Sequence, residues 1–281
     1  MPIDLDEYRK ASHESWDRLA ANWDAEREYI WSATGVVGER LVHAVDPQPG
    51  DTILDLAAGT GDTGFLAAAR IGPEGKLIST DFAPSMVDAA REVGAKLGLA
   101  NVEYRVLDAE KMDLEDSSVD GVVCRWGYML MADPATALAE TRRVLRDDGR
   151  LAFSVWAAPD KNPWASIPGM VLVERGHVPA PEPGAPGIFA MAEPERIRAL
   201  VTGAGFDEPE IEQIEIAWPY AGADHHWHLI LQLAGPLAEA IEGLDEDERE
   251  AVRGDVRSRI EPLISDGGGT APGLVHVITA Q

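Results

Sequence analysis

The sequence predicts an α/β fold built on a doubly wound, mostly parallel sheet. Three observations carry the prediction. Apolar, strand-like segments alternate with helix-like segments over short connections from residue 52 to residue 157, the pattern of repeated βαβ units. The strands are apolar throughout rather than alternating, as expected when helices cover both faces. The first of them, "TILDLAA", runs directly into a glycine-rich turn, "GTGDTG", a strand–turn–helix junction of the kind that seats ligands.

Each element follows in order. Tyr8, Trp16, Leu19 and Trp23 recur near helical spacing, so the first thirty residues read as amphipathic helix. A second helix is expected over residues 34–45 and ends at "DPQPGD". After the first strand (52–58) comes a helix (63–71), and "GPEG" turns the chain into a second strand (76–82). A helix starting near Ser85 runs to residue 99. Strands follow at 102–109 and 119–126, then a helix and turn (134–149) and a fifth strand (150–157). Residues 158–194 are rich in proline and glycine and show no clear element. Connections of that length are usually functional or disordered, and their aromatic and methionine content argues against a plain linker. They read as a lid or substrate-binding insertion. A helix at 194–206, a strand at 210–218, helical stretches between 225 and 264 and a last strand at 273–281 complete seven strands. The charge run "DEDERE" fits a helix N-terminal turn. The expected organisation is one domain. It comprises N-terminal helices (1–45), a ligand-binding core (46–157), a lid (158–195) and a C-terminal part (196–281) with a helical insertion at 222–265. No internal repeat is evident.

Composition narrows the partners. The 281 residues hold 49 Asp and Glu against 24 Lys and Arg, a formal charge of −25. That field repels phosphate backbones and anionic lipid, so nucleic acids and membrane surfaces are disfavoured and a small molecule is the expected partner. A homodimer stays open. No apolar run is long enough to span a bilayer, and "MPIDLDEYRK" lacks a signal core. Cys124 is the only cysteine, which excludes an intrachain disulfide and makes a reducing cytoplasm the simplest location.

The chemistry lies at the carboxyl ends of the strands, where open α/β sheets bind ligands. Gly59, Gly61 and Gly64 formally fit the G-x-G-x-x-G fingerprint of dinucleotide sites. Asp81, twenty residues after Gly61, can accept hydrogen bonds from a ribose 2′,3′-diol and would repel a 2′-phosphate. Asp108 can accept from an adenine amino group while the Ala109 or Glu110 N–H donates to a ring nitrogen. Asp55, inside the first strand, is the discriminating acid. A carboxylate there is costly beside a pyrophosphate and favourable beside a sulfonium and an ammonium.

Together "ILDLAAGTG", "LISTD", "RVLDAE" and "VDGVVCRWGYMLMADP", followed by "AETRRVLRDDGRLAFSVW", resemble the motifs of class I S-adenosylmethionine-dependent methyltransferases. Their succession is similar to the branch that includes ubiquinone/menaquinone-biosynthesis (methyltransferase type 11) enzymes. The resemblance covers residues 16–156 well and the C-terminal half weakly. It departs at Ala57, where the family usually has glycine. It implies a seven-stranded Rossmann-like sheet and S-adenosylmethionine as cofactor. The cofactor-binding set it implies is Asp55, Ala57, Gly59, Thr60, Gly61, Asp81, Phe82, Met86, Asp108, Ala109, Glu110, Cys124 and Arg125, the last two largely through backbone. It also implies N-terminal helices that close over the cofactor, with Trp16 and Trp23 facing it or packing in the core. "CRWGY" replaces the Asp/Asn-Pro-Pro-Tyr motif of enzymes that methylate adenine or glutamine nitrogen.

Trp126, Tyr128, Met129, Met131 and Trp156 gather where an acceptor would sit and suit an apolar or aromatic molecule. Trp126, Tyr128, Met129 and Trp156 are the candidate substrate-binding residues. Cys124 reads as a small buried neighbour of the cofactor, since nothing nearby activates a thiolate. His225, His226 and His228 lack metal-ligand spacing, and no metal is expected. His226 is the candidate general base. Methyl transfer to oxygen or carbon of a small acceptor is the leading reading. An NAD-dependent oxidoreductase, formally allowed by "GTGDTG", and a non-catalytic S-adenosylmethionine-binding protein stay as alternatives.

Overall fold

The computed structural model describes residues 4–182, 184–264 and 268–281. Two long helices open the chain, α1 (Leu5–Ala25) and α2 (Arg27–Val45). There follow β1 (Thr52–Leu56), α3 (Asp62–Ile71), β2 (Lys76–Asp81), α4 (Pro84–Lys96), β3 (Val102–Val106), β4 (Val119–Arg125), α5 (Pro134–Val144) and β5 (Leu145–Trp156). The second half adds α6 (Pro163–Glu174), α7 (Pro194–Gly203), β6 (Glu210–Tyr220), α8 (Ala223–Leu233), α9 (Gly235–Glu242), α10 (Glu246–Ile264) and β7 (Gly269–Ala280).

The seven strands form one sheet in the order β3-β2-β1-β4-β5-β7-β6. β1 to β5 pair in parallel, and β7 runs antiparallel to both β5 and β6. The order reverses between β1 and β4, so the crevice for a ligand opens there, at their carboxyl ends. Strand residues such as Ile53, Leu54, Val122, Val123, Leu151 and Phe153 are fully buried, which is why these segments read as continuous apolar runs. α2 packs on β4 and β5, α3 on β1 and β2, and α4 on β2 and β3.

Some element bounds differ from the sequence expectation. α2 begins at Arg27, seven residues before the expected start, with Glu26 as the single residue between it and α1. Within the stretch expected as helix and turn (134–149), the helix stops at Val144 and β5 already starts at Leu145, where it pairs with Val119, five residues before the expected strand. The proline-rich segment contains a full helix, α6. Pro163 opens it, a position where the missing N–H costs nothing.

Candidate active site

The turn after β1 is built around Asp55. Its Oδ2 accepts the Gly64 N–H at 2.9 Å in the first turn of α3, and the carboxyl is 1% exposed. A side chain on Gly64 would collide with that carboxyl group. The third glycine of the fingerprint therefore serves the strand acid and not a phosphate. Gly59 has φ 56° with open space where a Cβ would point, so its backbone can approach a ligand closely. Ala57 also sits in the left-handed region, at φ 54°. Its methyl faces Gly127, where an added Cβ would lie 2.8 Å from it and 2.6 Å from Cys124 Sγ. Thr60 donates to Asp62, and Asp62 pairs with Arg27 at 2.7 Å.

Asp81, at the end of β2, accepts the Gly59 N–H through Oδ2 and the Ala83 N–H through Oδ1, each at 3.0 Å. Burial dominates the protonation of both acids. It pushes Asp55 up to about 8, against the opposing pull of Gly64 N–H and Arg125 and with added repulsion from Asp81 and Asp62. It pushes Asp81 up to about 6, against backbone N–H donors. Two buried, mutually repelling carboxylates beside a glycine turn suit a cationic nucleoside and are hostile to a pyrophosphate. The residues present thus fit S-adenosylmethionine, with Asp81 available to a ribose diol.

At the end of β3, Asp108 already accepts the Glu110 N–H at 2.9 Å. Of the two backbone donors expected for an adenine edge, Glu110 is therefore engaged internally. The Glu110 carboxylate is also engaged, by Arg9 Nε and Nη2 of α1 at 2.9 and 2.6 Å and by Asp133 N–H at 3.0 Å. Tyr8 donates to the Leu130 carbonyl at 2.8 Å, and Ser85 N–H donates to Asp17 at 2.9 Å. These bonds hold α1 across the strand ends. Trp16 and Trp23 meet edge-to-face at 5.5 Å and pack with Ala20, Ala83, Met86 and Phe82.

The end of β4 carries a strained aromatic. Trp126 has φ 61°, rare for a bulky residue and characteristic of functional sites. Its ring stacks on Trp156 at 4.5 Å and 9°. Trp164 of α6 meets Trp156 at 5.0 Å and Trp218 of β6 at 4.8 Å. Arg125 lies between Trp31 and Trp126, 5.6 and 4.9 Å from their ring centres, and donates to Thr34 at 2.9 Å. Burial lowers its basicity, opposed by Asp62 and Asp55. Tyr128 and Met129 are packed inward instead. Tyr128 is fully buried, with its hydroxyl 2.7 Å from Thr141 Oγ1 and its ring against Phe153. Cys124 is fully buried and its thiol is pushed up to about 12 by burial.

His226 of α8 meets this cluster at the Trp164 backbone, with its ring edge-to-face on Tyr220 at 5.1 Å. Its Nε2 lies 2.7 Å from the Trp164 carbonyl. A carbonyl only accepts, so Nε2 carries the hydrogen and Nδ1 keeps its lone pair. Nδ1 is buried with no partner among the described residues. Burial lowers the His226 pKa to about 4. The Trp164 carbonyl is free because Pro168 stands four residues on and has no N–H to return to it. Asn162 anchors the same segment. Its amide donates to Ala157 and Leu274 carbonyls at 3.1 and 3.0 Å and accepts the Leu274 N–H at 3.0 Å. The neighbouring histidines go elsewhere. His225 Nδ1 accepts the Ala221 N–H, and His228 lies 4.0 Å from Glu26. Among the described residues, no group of three or more His, Cys, Asp or Glu could hold a metal ion, and no helix is long and apolar enough to cross a membrane.

Trp31, Trp164, Trp218 and Asn162 escaped the sequence reading. Only the unexplained aromatics of the lid segment hinted at Trp164, and the others reach the site through long-range packing.

Residues 47–167 match the model of a methyltransferase domain. The chain belongs to the S-adenosylmethionine-dependent methyltransferases. It is 32% identical to nocamycin O-methyltransferase of Saccharothrix syringae over 95% of this chain and 96% of that one. It is 31% identical to demethylmenaquinone methyltransferase of Symbiobacterium thermophilum, of which it spans 60%, and 33% identical to arsenite methyltransferase of Halobacterium salinarum, of which it spans 39%. Among solved structures, YcgJ of Bacillus subtilis shares the fold at TM-score 0.58 and 16% identity, over 86% of this chain and 96% of that one.

Proposed function

We propose that the chain methylates oxygen or carbon of a small, hydrophobic or aromatic acceptor. The observation that carries this reading is the four-tryptophan cluster at the carboxyl ends of β4 and β5, beside the glycine turn. The names of the relatives, an O-methyltransferase and quinone-biosynthesis methyltransferases, support it. S-adenosylmethionine supplies an activated methyl group, so the protein's task is alignment and exclusion of water.

In this reading Asp81 takes the ribose hydroxyls, and Asp108 with the Ala109 N–H takes the adenine edge. Asp55, held largely protonated at neutral pH by burial, gives up its proton beneath the cationic tail. The turn backbone from Ala57 to Gly61 lines that tail with the main chain of Cys124 and Arg125, while Phe82, Met86 and the α1 tryptophans close over the nucleoside. Trp126 and Trp156 form the acceptor's platform, and His226 Nδ1 receives the acceptor's hydroxyl proton. The lid is residues 158–195.

Calorimetric titration with S-adenosylhomocysteine, followed by transfer of a labelled methyl group to a panel of phenols and enols, tests the reading. Micromolar or tighter binding and turnover of an aromatic acceptor are expected. Failure to bind overturns the reading, and binding without turnover favours a non-catalytic role.

A further inference from the structure

The tryptophan cluster holds buried polar atoms without partners among the described residues. The indole N–H groups of Trp126, Trp164 and Trp218 are all buried, and none has a hydrogen-bond partner among the described residues. Ser154 Oγ, at the same strand end, is likewise buried and unpartnered. Buried indole N–H groups usually find an acceptor, and each exception calls for an explanation. Here three exceptions fall in one cluster drawn from the residue after β4, from α6 and from β6.

Two nearby carbonyls each accept a hydrogen bond from another donor. Ser154 O accepts the Trp126 N–H of the main chain at 3.0 Å, and Trp164 O accepts from His226. The cluster's further ring contacts are Tyr29, through Trp218, and the Arg125 guanidinium over Trp126. The wall of this site is therefore made of aromatic faces and hydrogen-bond donors. His226 Nδ1, whose ring bonds the Trp164 carbonyl through Nε2, adds a buried lone pair without a partner among the described residues.

We propose that the indole N–H groups of Trp126, Trp164 and Trp218 recognise oxygens of the acceptor, which is a planar aromatic molecule bearing at least one carbonyl besides its hydroxyl. The proposal rests on the acceptor-site reading above and sharpens it. Aromatic area alone accepts any flat hydrocarbon ring. These donors are already out of water, so an acceptor oxygen gains their hydrogen bonds with no hydration to displace from them, and a ring without oxygens gains none. The hydroxyl of such an acceptor donates to His226 Nδ1 while its carbonyl meets an indole N–H.

Two probes of one shape separate these effects: 7-hydroxycoumarin, with a hydroxyl and a lactone carbonyl, and 2-naphthol, with the hydroxyl alone. Their affinities are measured on protein saturated with S-adenosylhomocysteine, for the native chain and for Trp164→Phe and Trp218→Phe. The native protein is expected to prefer the coumarin by about tenfold or more. At least one variant, which keeps a smaller aromatic ring and loses the N–H, is expected to cut that preference to about threefold while its affinity for S-adenosylhomocysteine holds and its affinity for 2-naphthol falls less than that for the coumarin. Equal affinity of the native protein for both probes, binding of neither, or a preference untouched in both variants overturns the proposal. A variant that loses both probes alike marks a packing role and also counts against it. Absence of S-adenosylhomocysteine binding is a different failure, that of the methyl-transfer reading itself.

Discussion

His226 Nε2 donates to the Trp164 carbonyl at 2.7 Å, and that carbonyl is the one Pro168 leaves without its helical donor. A proline inside a helix removes one N–H, and its usual cost is about 3 kcal/mol. Here the freed acceptor fixes a histidine tautomer in α8. Pro168→Ala restores the helical donor to Trp164 and puts it in competition with His226. The expected result is an unchanged or raised melting temperature with kcat lowered by roughly tenfold, the pattern of a stability–activity exchange. Nitrogen-15 spectra of the imidazole should show the Nε2–H form losing its dominance. Unchanged kcat and an unchanged tautomer would sever the link.

The two buried acids give the cofactor a pH signature. Their folded pKa values, about 8 for Asp55 and about 6 for Asp81, lie above the ordinary 3.8. A raised folded value means stability present at low pH and lost as pH rises through 6 and then 8. A bound sulfonium and ammonium offset that loss by favouring the charged carboxylates. The thermal shift produced by S-adenosylmethionine should therefore grow between pH 5 and pH 8, and binding near pH 7 should release protons. Asp55→Asn should flatten much of the trend. Scanning fluorimetry across this range is the check, and a shift independent of pH in the native protein contradicts the assignment.

The parallel core was legible in the sequence for a local reason. "TILDLAA", "KLISTDF" and "VDGVVCRW" are each buried on both faces, and the acids Asp55, Asp81 and Asp108 sit within a residue or two of strand ends. The second half was less legible because its signals conflict. Pro163 and Pro168 with Gly169 argue for loop, yet α6 packs against α10 and β7, and tertiary burial overrides propensity. The aromatic cluster was half visible. Trp126 and Trp156 lie on neighbouring parallel strands, but Trp164 and Trp218 join only because β7 inserts between β5 and β6. Tyr128 looked like a wall residue, although the short 3₁₀ turn at Tyr128–Leu130 directs it into the core.

Ala57 and Gly127 form a matched pair, a methyl against a missing one. Gly127 has φ −83°, so its own backbone tolerates alanine, but the added Cβ meets Ala57 Cβ and Cys124 Sγ. Gly127→Ala should cost about 1–3 kcal/mol by overpacking. Ala57→Gly relieves a left-handed alanine while loosening the unfolded chain, and should lie within about 1 kcal/mol of neutral. The double variant should recover part of the Gly127→Ala loss, a coupling of about 0.5 kcal/mol or more in urea titrations. Strict additivity would place the crowding on Cys124 alone.

The clasp between α1 and the β3 loop should control cofactor exchange. Arg9 holds Glu110 through two nitrogens, and Glu110 in turn holds the Asp133 N–H. Arg9 is 38% exposed, so its pairing contributes little to global stability, on the order of 1 kcal/mol or less. Local opening is a different matter, because few other bonds secure this end of α1. Arg9→Met keeps the apolar stem and removes the clasp. Its melting temperature should stay within a few degrees of native, while S-adenosylhomocysteine dissociates about three- to tenfold faster in stopped-flow displacement. Amide exchange over residues 5–17 should quicken in step with release. If release keeps its native rate while exchange quickens, α1 frays without gating the cofactor, and the cover must be assigned to the Trp16–Trp23 cluster instead.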